Sequence, residues 1–150
     1  MKYTEEMARV LNKLLQNNLD AEKGFRNAAD EVQNEQLKAL FEDMAQQKYD
    51  FAHELRGEVR TFGEPPSKGS SVSSDLHRTW MNVRAGISSN PEKVVLAEAS
   101  KGEERALKDY EEVIGNFNFP PSTETILKRQ KQAFKDSVQK LHALHDEFSW

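Results

Sequence analysis

The sequence predicts an all-α protein built as a four-helix bundle, and three observations carry the prediction. Apolar residues recur at alternating spacings of three and four through four long stretches, the mark of a helix with one buried face. All five prolines fall between those stretches or at their edges. No run combines period-two alternation with the turn signals of a strand. A chain of 150 residues is long enough to form one domain, residues 1–150, around a single core without disulfides.

The first helix is expected from about Thr4 to Val32, because Met7, Leu11, Leu14, Asn18, Ala21, Phe25, Ala28 and Val32 keep the three-four spacing. Asn18 falls in this seam, and Glu22 follows one turn later. The second helix starts after Asn34, whose amide suits an N-cap, and carries Leu37, Phe41, Met44, Lys48, Phe51, Leu55, Val59 and Phe62. Lys48 holds the polar position in that seam. Gly63 ends the helix, and the stretch GEPPSKGSSVSSD prevents its continuation.

A shorter amphipathic segment, DLHRTWMNVRAGI, follows with Leu76, Trp80, Val83 and Ile87 on one face. Asn90 as N-cap and Pro91 at the first helical position then open the third bundle helix, expected to about Ile114. Its seam reads Val95, Ala99, Gly102, Ala106, Tyr110 and Val113, with Glu103 beside Gly102 on the same face. The turn GNFNFPPS closes it. Ser122 is read as the cap of the fourth helix, whose seam is Leu127, Gln130, Phe134, Val138, Leu141, His145 and Phe148.

Loop lengths set the topology. Residues 32–34 and 115–121 are short links, so each joins two antiparallel helices into a hairpin. Residues 63–90 are long and contain a helix of their own. The second helix is about 42 Å long at about 1.5 Å per residue, and such a connection can return along it. Two antiparallel hairpins joined by one long crossover make the ferritin-like arrangement.

Composition narrows the function. There are no cysteines, which excludes disulfides, thiolate metal sites and a cysteine nucleophile and is compatible with the cytoplasm. The net charge of −4 comes from 21 basic and 25 acidic residues spread along the chain, so no basic face marks a nucleic-acid binder. The start, MKYTEEMARVLNKLL, has neither the charge nor the apolar run of a signal peptide or a membrane span.

The polar seam residues are the candidates for function. Asn18 and Lys48 are equidistant from the first turn, Glu22 lies one turn away, and Glu103 and Gln130 sit near the middle of their own helices. They define a central polar layer at the height where ferritin-like bundles hold two metals. A di-metal layer needs a single Glu from each of two helices and a Glu-x-x-His pair from each of the other two. Glu22 and Glu103 could be the single carboxylates, with iron or manganese as the metal. The paired motifs are missing: Asp50 and His53 point outward, and Gln139 and His142 put an amide where a carboxylate belongs, well past the middle. Two readings of the layer remain side by side. Lys48 and Glu22 snorkel their heads to water from the seam's edge, or a salt-bridged group of Asn18, Glu22, Lys48, Glu103 and Gln130 replaces the metals.

The stretches LNKLLQNNLDAEKGF, QQKYDFAHEL, HRTWMNVRAGI and EASKGEERALKDYEEVI, with LKRQ at 127–130, together resemble a bacterial family known only as a domain of unknown function. Its members are four-helix bundles related in fold to ferritins and rubrerythrins. The resemblance covers about residues 8–115 and implies a ferritin-like fold with an acidic and a basic residue inside the bundle; it implies no activity. It also leads to an expected histidine near position 138, where this chain has Val138.

Other chemistry finds little support. His142 and His145 share a helix face and form a candidate surface metal site with Asp30, Glu31 and Glu35. His77 and Trp80 read as a surface histidine beside an aromatic anchor. No phosphate loop, dinucleotide fingerprint or nucleophile elbow occurs. The expectation is a non-catalytic bundle of structural or interaction type, linked to bacterial stress physiology by fold analogy. It has no cofactor, an unknown protein partner, and neither nucleic-acid nor membrane binding. The alternatives are a di-iron or di-manganese oxidase or storage protein, and a small-molecule binder with a pocket beside Gly102 and Ala106. A homodimer through exposed faces is compatible with the pattern, but no apolar stripe is left over to locate it.

Overall fold

A computed structural model describes residues 2–67 and 89–149. Four helices account for nearly all of them: α1 (Tyr3–Glu31), α2 (Glu35–Thr61), α3 (Pro91–Asn116) and α4 (Pro121–Glu147). The expected crossover helix, with Leu76, His77, Trp80, Val83 and Ile87, lies outside the described residues.

The helix ends follow from local chemistry. The Asn34 side chain accepts from the Leu37 N–H at 3.0 Å, and Asn90 accepts from Lys93 N–H at 3.2 Å, so each satisfies a first-turn donor that has no partner inside its helix. Gly63 adopts φ +81°, a conformation open to glycine without a Cβ clash, and its N–H bonds back to the Arg60 carbonyl at 2.8 Å. The fourth helix starts differently from expectation. Pro120 is its N-cap and Pro121 its first residue, with no side-chain cap, so Ser122 is already inside the helix.

Contacts at the two ends give the directions. The Tyr3 hydroxyl donates to the Asn118 carbonyl at 2.5 Å, and Gln33 N–H reaches Glu92 at 3.3 Å, so α1 and α3 are antiparallel neighbours. Thr123 donates to Glu58 at 2.7 Å at one end of α2 and α4, and Leu37 and Leu144 share a groove at the other. With antiparallel hairpins α1–α2 and α3–α4, helices α2 and α3 are parallel and lie across a diagonal. The hairpin pairs pack most closely, and α2–α4 is the most open side.

The apolar core divides into two. One half gathers Leu11, Leu14, Leu15, Leu55, Val59, Val113 and Leu127 towards the 117–120 turn. The other gathers Phe25, Ala28, Phe41, Ala45, Leu96, Ala99 and Leu141 towards the 32–34 turn. Between them lie the buried polar residues Asn18, Lys48, Glu103, Gln130 and Ser137. Burial of a leucine in either half contributes about 2 kcal/mol, so apolar burial on both sides can offset a costly layer between them.

Two seams differ from the spacing read in the sequence. In α3, Glu103 is itself the buried position, while Gly102 and Ala106 are only partly buried. In α4, Ser137 is buried and Val138 is not fully so. In both cases strict alternation of three and four, Leu96-Ala99-Glu103 and Gln130-Phe134-Ser137-Leu141, matches the buried positions.

Candidate functional site

The central layer is assembled from all four helices in two adjoining groups. In the first, the Lys48 ammonium lies 2.9 Å from Glu103 Oε2, and both side chains are at most 2% exposed. Lys48 has further contacts. Its ammonium reaches Gln47 Oε1 at 2.7 Å, and the nitrogen stands 4.0 Å from the centre of the Phe134 ring, with Phe51 at 5.8 Å and Phe25 at 5.6 Å. A cation enclosed by the faces of three rings gains attraction from their quadrupoles where water is absent. Ser137, also buried, completes the group beside Glu103 and helps to favour its charged form.

Burial governs the protonation of this pair. Loss of hydration pushes Lys48 down and Glu103 up from their ordinary values, and it outweighs their mutual attraction and hydrogen bond. Both shifts favour uncharged forms. The pair is held by geometry against an electrostatic cost.

The second group is neutral. Asn18 Nδ2 donates to the Leu14 carbonyl at 2.9 Å and to the Tyr110 hydroxyl at 2.8 Å; Tyr110 donates to Gln130 Oε1 at 2.6 Å. Gln130 Nε2 passes the chain to Glu54 Oε1 at 3.1 Å and the Phe51 carbonyl at 3.3 Å, and Glu54 pairs with Arg129 at the surface. Burial pushes the Tyr110 phenol well above its ordinary value, so it stays protonated and keeps donating. Among the described residues, Asn18 Oδ1 and Ser100 Oγ are buried without a hydrogen-bond partner.

Four of the five residues read from the sequence, Asn18, Lys48, Glu103 and Gln130, meet in this layer. Glu22 does not: it is only partly buried and pairs with Arg26 at 2.8 Å, one turn along the same helix. The i, i+4 partner draws its carboxylate along the helix surface instead of into the bundle. Snorkelling is thus excluded for Lys48, which is sealed in a buried pair, while Glu22 keeps its head at the bundle's edge. Sequence reading missed Gln47, Ser137 and the role of Tyr110 as the link between Asn18 and Gln130. It also missed Asp20, which is buried on α1 and accepts from Gln16 at 3.0 Å.

The candidate histidine site does not assemble. His142 pairs across to Glu104 of α3 at 2.5 Å, and His145 contacts Ser149. Helices α1 and α4 sit on opposite corners, which separates the histidines from the acids at the end of α1. Among the described residues, no group of three or more histidine, aspartate and glutamate side chains converges on a metal-binding point. His53 is exposed, and His77 lies outside the described residues.

The layer does not fit a pair of metal ions. Among the described residues, Glu103 is the buried carboxylate that faces Lys48, and it is engaged by that ammonium. Cations placed there would meet a fixed positive charge and aromatic rings in place of oxygen and nitrogen ligands.

Fold and site therefore define a helical-bundle protein with a charged pair sealed at mid-height. The chain belongs to the family described as a domain of unknown function, DUF2383, whose model matches residues 6–116. The match takes in α1, α2 and α3, with Asn18, Lys48, Glu103 and Tyr110, and stops before α4 and its Gln130, Phe134 and Ser137. No curated protein matches the chain. No helix among the described residues is long and apolar enough to cross a membrane.

Proposed function

We propose that the protein is a ferritin-like bundle of non-catalytic, structural or interaction type, in which the Lys48–Glu103 pair stands where related bundles carry two metals. The observation that carries this reading is the Lys48 ammonium, 2.9 Å from the buried carboxylate and enclosed by aromatic rings. The parallel diagonal of α2 and α3 supports the ferritin-like connectivity. Fold analogy adds a setting in the bacterial cytoplasm with a part in stress physiology.

The test is metal content. Protein purified without a histidine tag, incubated with Fe(II) and Mn(II) and freed of excess ion, is expected to retain no stoichiometric metal by elemental analysis. Two equivalents that disappear in a Glu103→Ala variant would overturn the proposal and establish a di-metal carboxylate protein.

A further inference from the structure

At the end of the bundle near the 32–34 turn, the open α2–α4 side widens into a groove of about 490 Å³. Leu37, Leu40, Leu144 and Phe148 form its floor, and the last three are only partly buried. Further along the same side, polar contacts bridge the two helices: Glu58 with Thr123, and Glu54 with Arg129 and Gln130. No such bridge spans the groove among the described residues. The sequence pattern left no apolar stripe to locate a contact face; the partly buried Leu40, Leu144 and Phe148 supply one here, where the described helices are least closely packed.

The groove's rim carries two charges of opposite sign on α4, Lys140 and Glu147, both exposed and neither ion-paired among the described residues. They are seven residues apart, which at 3.6 residues per turn puts them on the same helix face about 10.5 Å from each other, with Leu144 between them. A face with a positive end, an apolar centre and a negative end is complementary to itself when turned by 180°. In a two-fold contact each residue meets its counterpart's partner: Lys140 of one copy faces Glu147 of the other, twice, while the two Leu144 side chains meet at the axis.

We propose that this groove is the contact face of a homodimer in which α4 packs antiparallel against α4 of a second copy. Apolar area at Leu40, Leu144 and Phe148 drives the association, and the two Lys140–Glu147 pairs fix its orientation. The proposal deepens the interaction reading above, and the two fail separately. A metal-free monomer ends this one and leaves that reading standing, whereas a metal-loaded dimer does the reverse.

Analytical ultracentrifugation of the full chain over a concentration series is the test. Wild type is expected to dimerise. Lys140→Glu and Glu147→Lys should each weaken the dimer about tenfold, because each places like charges opposite one another at two points. The double exchange, Lys140→Glu with Glu147→Lys, should restore wild-type affinity, since it recreates both pairs with signs reversed. These exposed substitutions leave the core intact, and circular dichroism checks that each variant folds. A wild-type monomer at every concentration overturns the proposal. So does a dimer indifferent to the single reversals, or a double variant as weak as the singles.

Discussion

The two groups in the central layer occupy similar depth and use different physics. The Asn18–Tyr110–Gln130 chain is neutral and runs outward to Glu54 and Arg129, so its last hydrogen bonds are made near water. The Lys48–Glu103 pair is charged and enclosed by Phe25, Phe51, Phe134 and Ser137. A neutral chain of this kind costs little to bury once its partners are in place. A sealed ion pair forfeits the hydration of both charges, and removal of one partner leaves the other stranded. Hydrogen bonds between helices hold both groups, although Asn18 Oδ1 is left without a partner in the first; dependence on a single counter-charge is peculiar to the second.

The comparison can be broken most forcefully at the pair. Glu103→Gln leaves a buried ammonium without its counter-charge and is expected to cost about 3–5 kcal/mol, with a similar loss for Lys48→Met. Their pH dependences should have opposite signs. In Glu103→Gln the remaining group is a lysine held below its ordinary value, so the folded state binds fewer protons and stability falls as pH is lowered from the ordinary lysine range near 10.5. In Lys48→Met the remaining group is a carboxyl held above its ordinary value, so stability is greatest in acid and falls as pH rises past about 4.5. Urea unfolding across pH reads both slopes; parallel slopes would show that the two groups do not titrate as a buried pair.

In the neutral chain, Tyr110→Phe removes the hydroxyl that joins Asn18 to Gln130 and is expected to cost about 1–3 kcal/mol, with little dependence on pH. Urea unfolding again measures it, and a loss as large as that of Glu103→Gln would erase the contrast between the groups. The smallest effect is expected from the double variant Lys48→Met with Glu103→Leu. It removes both charges together and should unfold at a urea midpoint equal to or above that of wild type. A clear loss, still smaller than the sum of the single variants, would mean that the pair is a net source of stability, and a loss equal to that sum would mean that the two groups are not coupled.

Much of this was legible from the sequence, and the failures have physical causes. The periodicity located all four bundle helices, and Asn34, Asn90 and Gly63 marked helix ends by hydrogen-bond chemistry that acts within one turn. Asn18, Lys48, Glu103 and Gln130 were recognisable as polar residues in or beside apolar seams. Glu22 has almost the same helical angle as Asn18, but angle does not set depth, and Arg26 four residues on was the sign of a surface pair. Ser137 was hidden because Val138 is apolar and adjacent; the stricter three-four alternation pointed to the serine. Tyr110 was read as core, since nothing local reveals that its hydroxyl meets side chains from α1 and α4. Pairing between helices is a property of tertiary packing, and a single helical face does not encode it.

The division of the charged pair between hairpins also bears on how the chain folds. Lys48 belongs to the first hairpin and Glu103 to the second, and the Phe134 ring beneath the ammonium comes from the second as well. Neither hairpin can collapse to a dry interior by itself, because each would trap a charge whose partner has not arrived. A dry centre therefore requires both hairpins at once, in the one alignment that brings ammonium to carboxylate.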